Sequence, residues 1–352
     1  MILRTRLDNT NQNEEGIKIK DRVITGTLAV LLLGLSVASM FVGVIDMNIQ
    51  SLLSGDTNQW FIFLASRLPR LLAILCTGFG ISVAGLIMQQ LCMNKFVSPT
   101  TGATISAAKL GILIAFVFMP NSTLVGRAMF SFAFALIGTW AFVWFIQQIQ
   151  FKDTIMVPLI GITFGNIIGG VTSFIAYRFE MTQALTSWET GHFSMVIRGR
   201  YEIVYLVVPL LVLAFLFSNH FNIVGMGEDF AGNLGVNYNL VLFMGLTIAA
   251  AITASIVVVV GSISYIGLII LNLVAMFKGD KIRGTLIDTA LCGALFVLVC
   301  DMIARMVIAP YELPIELIIG IVGSVLYIFL LLRRLKHGRK TVRLVPRGGA
   351  CQ

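Results

Sequence analysis

The sequence predicts an all-α polytopic membrane protein, and three observations predict it. Of 352 residues, 57% are hydrophobic and only 12% charged, whereas a soluble domain carries about 25% charged residues. Several apolar runs reach the roughly 18–20 residues that a helix needs to cross a bilayer. Glycine recurs within those runs, at Gly78, Gly80, Gly85, Gly161, Gly165, Gly169 and Gly170, as close helix packing in lipid requires.

Taken in order, the apolar runs divide into about ten spans by bilayer-crossing length. They cover residues 23–45, 68–90, 98–118, 126–149, 156–178, 203–218, 240–260, 262–276, 286–306 and 314–332. The first has no small-residue cleavage site after it and reads as a retained span rather than a signal peptide. Residues 1–22 form an N-terminal segment, 23–334 the transmembrane domain and 335–352 a tail. Within that tail "LVPRG" at 344–348 has the pattern of a protease-cleavage tag, so 343–352 carry no functional weight.

Charge then orients the spans. With the N-terminus in the cytoplasm, 17 of the 25 lysines and arginines fall inside. Arg67, Arg70, Arg127, Arg178, Arg198, Arg200 and Arg305 fall outside, and Lys109 lies within a span. Positive charge favours the cytoplasmic side, so both termini are expected there. The net charge of +8 therefore reflects topology and anionic lipid, not nucleic acid.

Chemistry-bearing patterns are sparse. Cys76, Cys92, Cys292, Cys300 and Cys351 show no metal or disulfide spacing, and His192, His220 and His337 are scattered. No metal site and no cofactor are expected. There is no H-E-x-x-H and no G-x-S-x-G; "GDKIRGT" at 279–285 lacks the G-K-[ST] ending of a phosphate loop. The chain is thus read as non-catalytic, with no ATP site of its own. Charges within spans are Lys109, Asp288 and Asp301. Asp288 is expected near the inner surface, while Asp301 and Arg305, four apart on one helix face, read as an ion pair. Lys109 admits three readings: it lines a path, pairs with a partner, or snorkels to the surface.

Two stretches stand out by pattern. "ISVAGLIMQQL" (81–91) and "ISYIGLIILNL" (263–273) share I-S-x-x-G-L-I; an internal duplication and the general likeness of Gly-centred membrane helices both account for it. Residues 218–239, "SNHFNIVGMGEDFAGNLGVNYN", form a long polar stretch with no lysine or arginine. Short helices with glycine turns, Glu228 and Asp229 in a first helical turn, and a docking surface for a cytoplasmic partner are expected there.

These motifs converge on a family. Arg67, Pro69, Arg70, Gly85, Gln89, Asn94 and Pro99, then Ala231, Leu234 and Gly235, then "GSISYIGLI" (261–269), "DMIAR" (301–305) and "ELPIELIIG" (312–320) follow in order. This succession resembles the FecCD-type permeases of ABC importers for iron–siderophore complexes and vitamin B12, over about residues 23–334. "ILN" at 270–272 in place of V-P-H, Glu316 in place of a glycine, and the divergent "NKFVSPTTG" (94–102) resemble the branch for catecholate or petrobactin-like ferric siderophores.

The resemblance implies a type II ABC importer permease in a bacterial plasma membrane. Its implied partners are two ATPase subunits, a second permease subunit (an identical or a related chain), an extracytoplasmic substrate-binding protein and a ferric siderophore. It implies that Arg67, Arg70 and Arg305 dock carboxylates of the binding protein, for which the planar guanidinium fork is suited; the alternative is anchorage of helix ends at lipid headgroups. It further implies that Gly227, Glu228, Asp229, Ala231, Leu234 and Gly235 couple to the ATPase. Gln89 and Lys109 are candidates for the path, as are the fifth span and residues 191–199. A gradient-driven secondary transporter is the rival reading, and it requires essential buried acids.

Overall fold

The computed structural model describes residues 2–43, 57–101, 103–149, 156–199, 201–278 and 285–343. The end of the first predicted span, Lys152, Arg200, residues 279–284 and the 344–352 tag lie outside them. Among the described residues every regular element is helical. In chain order they are α1 (Ile2–Phe41), α2 (Thr57–Ile62), a π turn (Phe63–Arg67), α3 (Leu68–Leu91), α4 (Thr104–Phe118), α5 (Leu124–Gln147), α6 (Met156–Arg178) and α7 (Thr182–Glu189). A 3-10 turn (Glu202–Leu206) then leads into α8 (Val207–Leu216), α9 (Ser218–Val224), α10 (Glu228–Asn233), α11 (Tyr238–Val260), α12 (Ile266–Lys278), α13 (Thr285–Met306) and α14 (Ile315–Arg343).

Each of the predicted spans overlaps one of these helices, although α4 begins at Thr104 and the 203–218 span opens with the 3-10 turn. Six are long and apolar enough to cross a membrane, the Glu202–Leu216 segment with α9 adds a bent seventh, and α4, α12 and α14 supply shorter apolar stretches. The first span differs in its start: α1 runs without a break through the 22/23 boundary.

Helix α3 is the axis of the fold. Its apolar window is 83% buried, and α13, α11, α12, α8, α9 and α1 pack around it. Small residues make this possible. A Cβ on Gly78 would lie 2.4 Å from the Ala294 Cα, and one on Gly293 would run into the Ser82 hydroxyl, so the α3 and α13 backbones touch. The shared I-S-x-x-G-L-I motif has a spatial meaning here. Gly85 and Gly267 face each other, with a Cβ on Gly85 placed 2.9 Å from the Gly267 Cα; the two copies are each other's packing partner.

Pro69 sits at the start of α3, where its missing N–H costs nothing. The preceding π turn closes with the Leu68 N–H donating to the Phe63 carbonyl. Such turns are rare and concentrate where geometry is specialised. Here it delivers Arg67 and Arg70 to one end of the axis.

Candidate functional site

Two features occupy opposite ends of α3. At its N-terminal end lies an ion cluster. Arg70 donates from Nη1 to both carboxylate oxygens of Glu312, at 2.8 Å each, and from Nη2 and Nε to Asp301 Oδ1 at 2.8 and 3.3 Å. On its other side Asp301 Oδ2 pairs with Arg305 Nη2 at 2.7 Å. Arg305 also donates from Nη1 to the carbonyls of Ser39 and Val42, at 3.0 and 2.7 Å, and from Nη2 to the Ser39 hydroxyl. Arg67 reaches the Val42 carbonyl too. The cluster thereby ties the end of α1, the π turn, α3, α13 and the 307–314 connection into one unit.

The expected i, i+4 pair of Asp301 and Arg305 is present. Of the three arginines expected to dock, Arg305 is the most enclosed. The residue is 4% exposed, and its donors are spent on Asp301 and the end of α1. Burial without these partners would strand a charge, so Arg305 buttresses Asp301 instead of presenting itself at the surface. Arg67 and Arg70 remain partly exposed. Glu312 and the Ser39 and Val42 carbonyls were invisible as partners in the sequence, because 242 to 266 residues separate them from Arg70 and Arg305 respectively.

A cavity of about 270 Å³ opens beside this cluster, between Arg70, Glu312, Leu313 and the 187–194 stretch. That stretch is pinned by the His192 N–H donating to the Val260 carbonyl at 3.0 Å. Gly191 fits against Ser262, where a Cβ would meet its carbonyl at 2.4 Å. Glu316, in the position of the expected glycine, accepts from the Ser264 hydroxyl at 3.2 Å. That substitution thus joins α14 to the start of α12.

At the C-terminal end of α3 the 218–239 stretch forms two short helices, as expected. Gly227 and Gly235 take positive φ of 111° and 72°, a region costly for residues with a Cβ. Glu228 and Asp229 stand exposed in the first turn of α10. Ala231 is fully buried and its carbonyl accepts from the Val236 N–H, closing the loop. Met226, Phe230 and Leu234, four apart, remain exposed at 65%, 46% and 55%. Of these the sequence singled out only Leu234; the four-residue spacing was the signal for the other two. Gly225 rests on α3, since a Cβ there would meet Gln90 Oε1 at 2.7 Å.

The two path candidates are not brought together. Gln89 is 9% exposed and donates to the Lys95 carbonyl at 2.7 Å, which holds the turn after α3. It lines a cavity of about 280 Å³ with Asn94, Asn272 and Thr289. Lys109 stands half-buried on α4 and does not line that cavity. Helix α6 behaves differently from both. It packs mainly along α4 and leaves Thr163, Asn166, Gly170, Ser173 and Tyr177 exposed, all on one face by their alternating spacing of three and four. Asp288 is buried and accepts from the Thr25 hydroxyl at 2.5 Å. Among the described residues no group of three or more His, Cys, Asp or Glu side chains could hold a metal.

Comparison with known proteins places this architecture. The model of the FecCD transport family matches residues 30–333. The petrobactin import system permease protein YclN of Bacillus subtilis is 43% identical over 307 residues, covering 87% of this chain and 97% of that protein. The ferric-anguibactin transport system permease protein FatD of Vibrio anguillarum is 37% identical, covering 86% and 96%. Among solved structures, a metal-chelate type ABC transporter in an inward-facing conformation superposes with a TM-score of 0.76 at 25% identity, covering 89% of this chain and 99% of that one.

Proposed function

The chain belongs to the FecCD transport family, and we propose from that premise that it is a permease subunit of an ATP-driven importer of ferric siderophores. One observation carries the reading of its geometry. The buried helix α3 spans about 36 Å at 1.5 Å per residue, with Arg70 in the ion cluster at one end and Gln90 against Gly225 of the 218–239 loop at the other. The arginine end is the extracytoplasmic face, where Arg67 and Arg70 meet carboxylates of a substrate-binding protein. The loop end is cytoplasmic, as are both termini, and Met226, Phe230 and Leu234, rimmed by Glu228 and Asp229, seat an ATPase subunit.

A second permease subunit covers α6. Polar groups facing lipid are costly, and Asn166 with its exposed small and hydroxyl neighbours fits a partner or a watered path better than acyl chains. Residues 163–177 together with 191–199 line that path. A rigid-body switch driven by two ATPase subunits alternates its opening. Iron arrives wrapped in its chelator, of the petrobactin or anguibactin kind that the relatives' names carry, so no ligand set is required of the permease.

Two measurements test this. In vesicles holding the partner subunits and binding protein, uptake should require trapped ATP; accumulation against a gradient by this chain alone would overturn the reading in favour of a secondary transporter. Arg67→Glu should abolish uptake while membrane insertion stays intact, because rim charges set encounter and orientation; normal uptake by that variant counts against docking.

A further inference from the structure

Arg70 faces a difficulty as a docking residue: four of its five N–H donors are already engaged. Nη1 serves both oxygens of Glu312, and Nη2 and Nε serve Asp301. We propose that Glu312 is a resident carboxylate that holds Arg70 until a carboxylate of the binding protein replaces it, so that docking exchanges one Arg70 ion pair for another. This rests on the docking reading above.

The two acids that hold Arg70 differ in a way that assigns the exchange to one of them. Asp301 is 1% exposed and also serves Arg305, so its departure would leave the buried Arg305 guanidinium without a counter-charge, which is strongly unfavourable. Glu312 is 23% exposed, and among the described residues Arg70 is its only hydrogen-bond partner. It sits in the non-helical connection between α13 and α14, on the wall of the cavity of about 270 Å³ that Arg70 shares with Ser187, Thr190, His192 and Ser194. That space admits an incoming side chain and receives the displaced one among hydroxyl groups. Arg70 keeps Asp301 throughout, so neither state exposes a bare buried charge. Binding-protein affinity is thereby held down by an internal competitor, which favours release after delivery.

The test uses the complete importer in lipid nanodiscs and its binding protein labelled with a fluorophore. Glu312→Gln removes the competing charge and should tighten Kd by about tenfold, the scale of a close interfacial charge pair. Should that variant fail to assemble, Glu312→Asp, which keeps the charge but shortens the reach, should tighten Kd by a smaller factor. An unchanged or weakened Kd in the variant that assembles overturns the exchange. Arg67→Gln is the separate arm: weakened binding there with no gain from the Glu312 variants leaves docking standing and removes only the exchange. An Arg67→Gln importer that binds like wild type removes the docking reading itself.

Discussion

Helices α3 and α6 have 24 and 23 residues and similar glycine-punctuated apolar sequences, yet the structure uses their glycines in opposite ways. On α3, Gly78, Gly80 and Gly85 each lie where an added Cβ would come within 3.0 Å of another helix. On α6, Gly169 and Gly170 have nothing within 4 Å, although Gly161 and Gly165 nearer its start pack against the Thr101 carbonyl and Ser106. Composition therefore says that a membrane helix can be approached closely; it does not say by what. For α3 the approaching surface belongs to the same chain, and for the far half of α6 we assign it to a second permease subunit.

Three substitutions break or sharpen this contrast. The largest loss of stability should come from Asp301→Ala, which strands the buried Arg305 and leaves Arg70 with Glu312 alone; removing one partner of a buried pair costs about 3–5 kcal/mol, read as a fall in thermal midpoint of the reconstituted subunit. A near-neutral result would mean that the α3 end is less closed than its exposure implies. Next, Gly78→Val drives a side chain into the α13 backbone at Gly293 and Ala294. Overpacking of this kind costs about 1–3 kcal/mol, measured in the same assay. Smallest in stability is Gly170→Leu, expected within about 0.5 kcal/mol of wild type. It should nonetheless weaken association with the second subunit by about tenfold and reduce uptake. If Gly170→Leu destabilises the isolated subunit as much as Gly78→Val, the contrast between the two helices fails.

The candidate site was legible in parts, and the parts share a physical reason. The 218–239 loop announced itself because glycine turns, acidic first-turn residues and the absence of lysine are local properties. Asp301 and Arg305 were readable as a pair for the same reason, being one helical turn apart. The identity of the charge opposite Arg70 was not, since Glu312 reaches it across 242 residues and only the packing of α3 against α13 brings them together. The surroundings of Gln89 were not legible either, because a polar side chain in an apolar run fits a path, a cavity or a backbone cap equally well. Its bond to the Lys95 carbonyl and its place on a cavity wall come from the tertiary structure.

By itself the sequence determined the membrane, the number and order of the spans, the polar loop and the family pattern, all of which depend on composition and on neighbours within a few turns. Only the tertiary structure decided which helix is the axis, which glycines are filled by another backbone, and which arginines are neutralised from within. Burial and charge pairing are set by surfaces that meet across hundreds of residues. A guanidinium at the end of a span reads identically whether a carboxylate of its own chain waits opposite or not.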